Sequence, residues 1–477
     1  MWSVPGERSR RSRGGFTEMR RRDFLRTTAA LAAGGSIAPR QIASIQAAEP
    51  QQSSPSPSVP GQSPSEKFGE TLQLKLRKAS RFFEDPEINY VFQVMLGGAY
   101  YRAADIGACL AIADQIVDGN RPSAFRALLV AGDRLSAVAE TSAANGFRTS
   151  AREAYMQAAN YIFSATYFVN PTGPPDAFAF NWQRHQELWD KAAALLDPPV
   201  DYLPFPYEKT TLPGYFFKVD DSGKRRPLII LNNGSDGGMI TAWTLGVAAA
   251  LERGYNAYTF YGPGQGTALL QQKLYSRPDW EKVVSPLLDY LLIRREVDAD
   301  RIALVGISQG GYWAPRAAAF DSRVAACVAD PGVWDVSTAW TQALPKPMLD
   351  LLAGGQQQKF DNLIRIWLRF NARAMATLVL RMRPFGFNSP FEAFKAVQGY
   401  NLAGVAKQIR CPMLITDPEG EQFWPGQSQK LYDALSGPKT LLKFTAAEGG
   451  DLHCEPKAPG LRSQRIFDWL DQTLKAS

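Results

Sequence analysis

The chain has 477 residues, 45% of them hydrophobic and 21% charged, which is more length than one ordinary domain needs and enough apolar material for a large core. Its formal charge of +7 is concentrated at one end: Met1–Ala48 carries nine arginines against Glu7, Glu18 and Asp23, a net +6 that leaves about +1 for everything else. That balance argues against nucleic acid as a partner. The four widely spaced cysteines, Cys109, Cys327, Cys411 and Cys454, form no Cys-x-x-Cys pair and so argue against a zinc or dithiol redox site.

In chain order, the first segment reads as a leader. Arg21-Arg22-Asp23-Phe24-Leu25-Arg26 resembles a twin-arginine export signal, followed by a weakly apolar stretch, Thr27–Ala38, and small residues around Ala47-Ala48 suited to cleavage. The expectation is a signal peptide over 1–48, read by the twin-arginine export machinery and delivering a periplasmic or secreted protein. No uncharged apolar run is long enough to span a bilayer, so no stable membrane anchor is expected. A substrate of that route folds before export, which favours single buried thiols over disulfides. Residues 49–66 are rich in Pro, Ser and Gln and read as a flexible linker.

A helical domain able to form a lid is predicted over 67–200, with Tyr155, Ala158, Ile162, Ala165 and Phe168 recurring at helical spacing and His185 inside a helix over Phe180–Leu196. There His185 reads as a half-exposed helix residue, with a lid position touching substrate as the alternative. From 201 to 477 the rhythm changes to an α/β pattern. Two short β-like runs, Tyr207–Thr211 and Tyr215–Val219, precede an apolar strand at Pro227–Asn232. A helix (Met239–Arg253), a strand (Asn256–Tyr261), a helix (Trp280–Arg295), the strand ending near Ile307, its helix, and the strand Val324–Ala329 follow. The pattern resumes with Pro412–Thr416, Thr440–Phe444 and a closing helix, Gly460–Leu474. Such alternation predicts a mostly parallel sheet with helices on both faces. The helical, aromatic interruption at 334–409, with Trp334, Trp340, Trp367, Phe370 and Phe385, reads as a cap whose aromatics suit a flat apolar substrate.

Three places carry chemistry. Arg301–Tyr312 runs from an apolar strand into Gly306-x-Ser308-x-Gly310 and then a helix, which is what a nucleophilic serine on a sharp strand-to-helix turn requires, since larger side chains two positions away would collide. A serine needs a base, and only His185 and His453 exist. Asp417, Glu419 and Glu421 follow a predicted strand and compete as the orienting acid. Gly262-Pro263-Gly264-Gln265-Gly266 fails as a dinucleotide loop, because Thr267 stands where a small residue is needed and the next helix begins only after Pro278; a tight turn near the pocket fits better.

From about Phe82 onward the chain resembles the α/β-hydrolases with an N-terminal helical domain, a group that includes dihydroxypseudooxynicotine hydrolase and fungal hydrolases that shorten polyketide chains. The resemblance is carried by Asn233 through Gly237, Tyr261 through Gly266, Asp279-Trp280-Glu281, Arg294 through Asp298, Gly306–Tyr312, Asp417 through Gln427 and Glu448 through Glu455. It implies the chain order nucleophile, acid, histidine, and hence Ser308 with His453. The acid is then Glu421, four residues before Pro425, with Asp417 as the alternative. The oxyanion hole would use the N–H of Gln309 and that of Gly234 or Ser235. The implied activity is hydrolysis of a small-molecule carbonyl substrate, either an ester or a carbon–carbon bond next to a ketone, without metal or organic cofactor. A peptidase of the dipeptidyl or acylaminoacyl type and a non-catalytic binding protein are the alternatives, and a homodimer is left open. A glutamate as acid and an export leader both depart from the group's pattern.

Overall fold

Five helices come first in the computed structural model, whose described residues are 81–475. The expected leader at 1–48, the linker at 49–66 and the first residues of the helical segment lie outside that range. α1 (Pro86–Gly97) begins where Asp85 accepts from the N–H groups of Glu87 and Ile88, with Pro86 supplying a preset φ. α2 (Ile106–Ala113), α3 (Arg121–Ala144), α4 (Arg148–Thr166) and α5 (Ala177–Ala193) follow. The stripe Tyr155, Ala158, Ile162, Ala165 is buried, and so is the opposite side of α4, including Asn160 and Ser164. Asn160 is satisfied there by donating to the carbonyls of Met95 at 3.1 Å and Ala103 at 2.9 Å.

The sheet begins with short strands: β1 (Asp201–Tyr202), β2 (Phe205–Tyr207), β3 (Thr210–Leu212) and β4 (Gly214–Phe217). β2 and β3 pair only with each other, so the first expected β-like run resolves into a tight hairpin. The remaining strands are β5 (Arg226–Asn232), β6 (Asn256–Phe260), β7 (Val297–Ile307), β8 (Ala326–Asp330), β9 (Met413–Pro418) and β10 (Lys439–Phe444). Their order across the sheet is β1-β4-β6-β5-β7-β8-β9-β10, antiparallel for the first two pairings and parallel from β6 to β10. Leu228–Leu231 is buried throughout, as a strand covered on both faces must be.

Helices fill the crossovers: α6 (Met239–Ala242), α7 (Ala248–Glu252), α8 (Gly266–Leu270), α9 (Glu281–Leu292) and α10 (Gly310–Phe320). The cap contains α11 (Thr338–Thr341), α12 (Lys346–Ala353), α13 (Gln357–Arg369), α14 (Ala372–Met382) and α15 (Pro390–Val397). α16 (Gln427–Ala434) and α17 (Pro459–Lys475) close the chain.

One expected element is broken. The single helix predicted over Met239–Arg253 opens into a wide π turn at Trp243–Val247, with Leu245 and Gly246 outside helical geometry. Leu231 of β5 packs so near that a Cβ on Gly246 would lie 2.2 Å from its Cδ1. The opening frees the carbonyl of Leu245, which accepts from Arg462 Nη1 at 2.7 Å.

Candidate active site

β7 ends at Ile307, and the next residue, Ser308, has φ +57°, with Gln309 capping the start of α10. A left-handed serine is strained and persists only where its surroundings fix it. Two features do so. The N–H of Ser308 donates to the carbonyl of Asp330 at 2.7 Å, tying the turn to the end of β8. A Cβ on Gly306 would lie 2.0 Å from the carbonyl oxygen of Gly310, and one on Gly310 2.6 Å from that of Asn232, so both positions must be glycine for the turn to close.

His453, in the loop after β10, reaches this serine. Its Nε2 is 2.8 Å from Ser308 Oγ and its Nδ1 is 2.8 Å from Glu421 Oε2. A carboxylate can only accept, so Nδ1–H donates to Glu421; in the neutral ring Nε2 is then free to accept from the serine hydroxyl. Glu421 Oε1 accepts from the N–H groups of Phe423 at 2.8 Å and Trp424 at 3.1 Å. Burial alone would raise this carboxyl, but His453 and the two N–H groups outweigh it and hold the acid below its ordinary value. The ring is further held by Phe423, edge-on at 4.7 Å between centroids, and the loop by Tyr90 of α1, whose hydroxyl donates to the carbonyl of His453 at 3.0 Å.

Asp417 is placed elsewhere. It lies within β9, in register with Lys443 of β10, and burial raises its carboxyl despite that lysine. His185 does not join the site either. It is fully buried rather than half-exposed, because α5 turns it inward against Phe163, with Nδ1 donating to the carbonyl of Ala159 at 3.0 Å. Among the described residues its Nε2 has no partner, and burial pushes its pKa down to about 4.

The loop after β5 lies against the serine. A Cβ on Gly234 would lie 2.8 Å from Ser308 Cβ. The N–H of Gly234 donates to Asn233 Oδ1 at 3.2 Å, whereas those of Ser235 and Gln309 have no protein acceptor among the described residues. The glycine-rich turn after β6 has a role the sequence did not reveal. Gln265 donates through Nε2 to the carbonyls of Asn233 at 2.9 Å and Gly234 at 2.6 Å, and its Oε1 accepts from Gly262 N–H at 2.8 Å. That turn therefore braces the loop facing Ser308.

Behind the elbow sits a buried ionic network that sequence reasoning also missed. Arg462 of α17 donates through Nε to Asp330 Oδ2 at 2.6 Å, and Asp330 Oδ1 accepts from Thr416 at 2.7 Å. One guanidinium thus links β8, which holds the serine N–H, to the kinked helix at Leu245. Nothing in the spacing of Asp330 and Arg462 announces this contact. Cys454 is buried beside the network and burial raises its thiol, so its adjacency to His453 does not make it a nucleophile. All four cysteines are free.

Ser308 and His453 open into a cavity of about 620 Å³. Its walls come from α1 and α4 (Tyr90, Phe163, Tyr167), from the strand-end loops, and from the cap. Of the five cap aromatics expected to face substrate, Trp340 and Phe385 line it. Trp367 and Phe370 instead face outward, 51% and 87% exposed, because α13 turns Phe360, Ile364 and Leu368 inward. Trp334 packs under Lys430.

No protein-family model matches the chain. Its sequence is 30% identical to the α/β hydrolase psoB of Aspergillus fumigatus over 420 residues, covering 82% of this chain and 94% of psoB. It is 32% identical to hydrolase LUC6 of Fusarium sp. over 411 residues, 82% and 98% of the two chains. It is 30% identical to 20-hydroxy-prefusarin hydrolase FUS2 of Gibberella moniliformis over 412 residues, 83% and 97%. Among solved structures, 2,6-dihydroxy-pseudo-oxynicotine hydrolase superposes with a TM-score of 0.63 at 21% identity, over 80% of this chain and 96% of that one. The sheet order and the helices on both faces are those of a hydrolytic α/β fold. The chain belongs to the α/β-hydrolase superfamily and is a hydrolase.

Proposed function

We propose that the chain is a serine hydrolase in which Ser308 attacks a substrate carbonyl, His453 takes and returns the proton, and Glu421 orients the imidazole. The observation that carries this reading is the unbroken chain of contacts from Glu421 Oε2 through His453 to Ser308 Oγ, 2.8 Å at each step, at the floor of a cavity. The uncommitted N–H groups of Gln309 and Ser235 favour that pair as the oxyanion hole, with Gly234 giving the close approach rather than the hydrogen bond. The aromatic-walled cavity, lined by the helical layer on one side and the cap on the other, supports a small apolar ester or ketone as substrate over an extended peptide, which needs a long groove. Relatives named for 20-hydroxy-prefusarin and 2,6-dihydroxy-pseudo-oxynicotine point the same way, to small organic molecules.

A fluorophosphonate probe tests the mechanism. It is expected to label Ser308 alone, with labelling lost in Ser308→Ala; wild-type turnover by that variant would remove the serine from the reaction. Export through the twin-arginine pathway is a second part of the proposal. Replacing Arg21 and Arg22 together by lysine is expected to leave an uncleaved, folded precursor in the cytoplasm, and mature protein outside the cytoplasm would overturn it.

A further inference from the structure

α13 carries more apolar surface than its packing in the cap uses. Phe360, Ile364 and Leu368 turn inward, and Phe360 packs edge-on against Phe394 of α15, which in turn meets Trp340 in the cavity wall. Leu363, Ile366 and Trp367 form a second stripe one helical step away, continued by Phe370 at the C-terminal end, and these four side chains are between 47% and 87% exposed. Exposed apolar residues scattered singly are ordinary, whereas four on adjoining turns of one helix mark a surface that meets something. Cations border the stripe. Lys359, Arg365 and Arg369 are exposed; among the described residues Lys359 and Arg369 join no ion pair, and Arg365 approaches Asp361 only to 3.9 Å. From Lys346 to Val397 the cap has eight Lys and Arg against Asp350, Asp361 and Glu392, a net +5 in a chain that is otherwise nearly neutral after its first 48 residues.

We propose that this face of α13 docks on an anionic lipid surface, with Trp367 and Phe370 entering the interface and Lys359, Arg365 and Arg369 meeting the headgroups. A helix that lies in a membrane interface combines these two features, aromatic and aliphatic side chains on one side and Lys or Arg beside them. Each does separate work: the apolar side chains leave water, and the cations are drawn to the negative surface. Among the described residues no helix is long and apolar enough to cross a membrane, so α13 would lie on the surface and not through it.

Charge decides between this partner and two others. A second copy of the chain, joined by a two-fold contact, would set the patch against itself and bring like charges together. Residues 1–80 of the chain are net basic as well, so they do not complement the face either. An anionic bilayer does, and it needs no shape match to a single convex helix. The inward side of the same helix packs in the cap, so docking brings one wall of the cavity over Ser308 to the lipid surface. The proposal is independent of the chemistry at Ser308.

The test is co-sedimentation of the full chain with phosphatidylcholine vesicles, plain or containing about one-third phosphatidylglycerol, at low and high salt. Wild type is expected to bind the anionic vesicles, to lose affinity as salt rises, and to bind the plain ones poorly. The double variant Trp367→Ser/Phe370→Ser should weaken binding to anionic vesicles at least about tenfold, and Lys359→Gln/Arg369→Gln should do the same while flattening the salt dependence. Thermal melts followed by circular dichroism report whether each variant is folded, and either pair carries the test if the other is not. No binding of wild type to anionic vesicles at low salt would overturn the proposal. Undiminished binding in either folded pair would also overturn it, and in both would trace the binding to the basic 1–48 segment. A wild-type dimer in sedimentation velocity that Trp367→Ser/Phe370→Ser converts to monomer would assign the face to a second copy and overturn it as well.

Discussion

The helical layer and the loop after β10 each bury one histidine, at 0% and 3% exposure, and treat it in opposite ways. Among the described residues His185 on α5 has a partner at one nitrogen only, a backbone carbonyl, and burial drives it toward the neutral form. His453 has Glu421 at one nitrogen and Ser308 at the other, with the carboxylate placed to stabilise the charge that the ring would take up as the proposed base. Burial is common to both. What separates the core histidine from the proposed base is the carboxylate partner on the far side of the ring.

The most direct way to break this contrast is to remove each ring in turn. His453→Ala is expected to lower kcat by roughly 10⁴–10⁶, as in other serine triads, while His185→Asn should leave kcat within several-fold of wild type in protein that remains folded. Steady-state kinetics on one ester substrate suffices. A comparable loss from His185→Asn would mean that the helical layer takes part in turnover.

The carboxylate is the next place to press. Glu421→Gln keeps the shape but replaces an oxygen that accepts from Nδ1–H with an amide, and should cost about 10⁴ in kcat; Asp417→Asn, in β9 and paired in register with Lys443, should cost less than about tenfold. If the two swap, the contact at Glu421 is not the one used in the reaction.

These assignments were readable to different degrees, for physical reasons. The elbow is local: five residues and two flanking elements contain all the steric demands on Ser308, so the motif is complete in the sequence. The stripe on α4 was likewise readable, since one helix period records one buried face. Glu421 and Asp417 could be ranked only by their spacing to Pro425, because which carboxylate reaches a histidine more than thirty residues on depends on where β9 ends and its loop turns. Contacts across the fold left no trace: Arg462 to Asp330 and Gln265 to the Asn233 carbonyl each join elements far apart in the chain. The break in the helix after Met239 was hidden too: it lies against Leu231 on the neighbouring strand, a contact that the helix's own sequence does not record. Which cap aromatics face the cavity depended on the rotation of α13, whose apolar side turns Phe360, Ile364 and Leu368 inward and leaves Trp367 outside.

A subtler test keeps every catalytic group and disturbs only their spacing. In Gly234→Ala the new methyl would lie 2.8 Å from Ser308 Cβ, so either the serine or the loop must move. A displaced Ser235 N–H no longer points where the oxyanion forms, and kcat should fall about 10²–10³-fold with little change in thermal midpoint, the magnitude associated with loss of one oxyanion donor. Unchanged kcat would show that this loop does not contribute to the hole.

The smallest effect returns to His185 and touches stability rather than turnover. In the folded protein its pKa is pushed down to about 4, while in the unfolded chain it takes the ordinary value near 6.5. Between those values the unfolded state binds a proton that the folded state refuses, so the contribution of the buried neutral ring is fully present above about pH 6.5 and is lost as pH falls toward 4. A shift of that size corresponds to about 3 kcal/mol over the window. In His185→Asn this dependence is removed, although the variant also loses packing against Phe163 and starts from a lower stability at pH 7. Urea midpoints measured from pH 7 to pH 4 should therefore fall less steeply for His185→Asn than for wild type, with the curves converging at the acid end. Parallel curves would show that the ring is already protonated in the folded protein, which its unpartnered Nε2 does not allow without a rearrangement of α5 against α4.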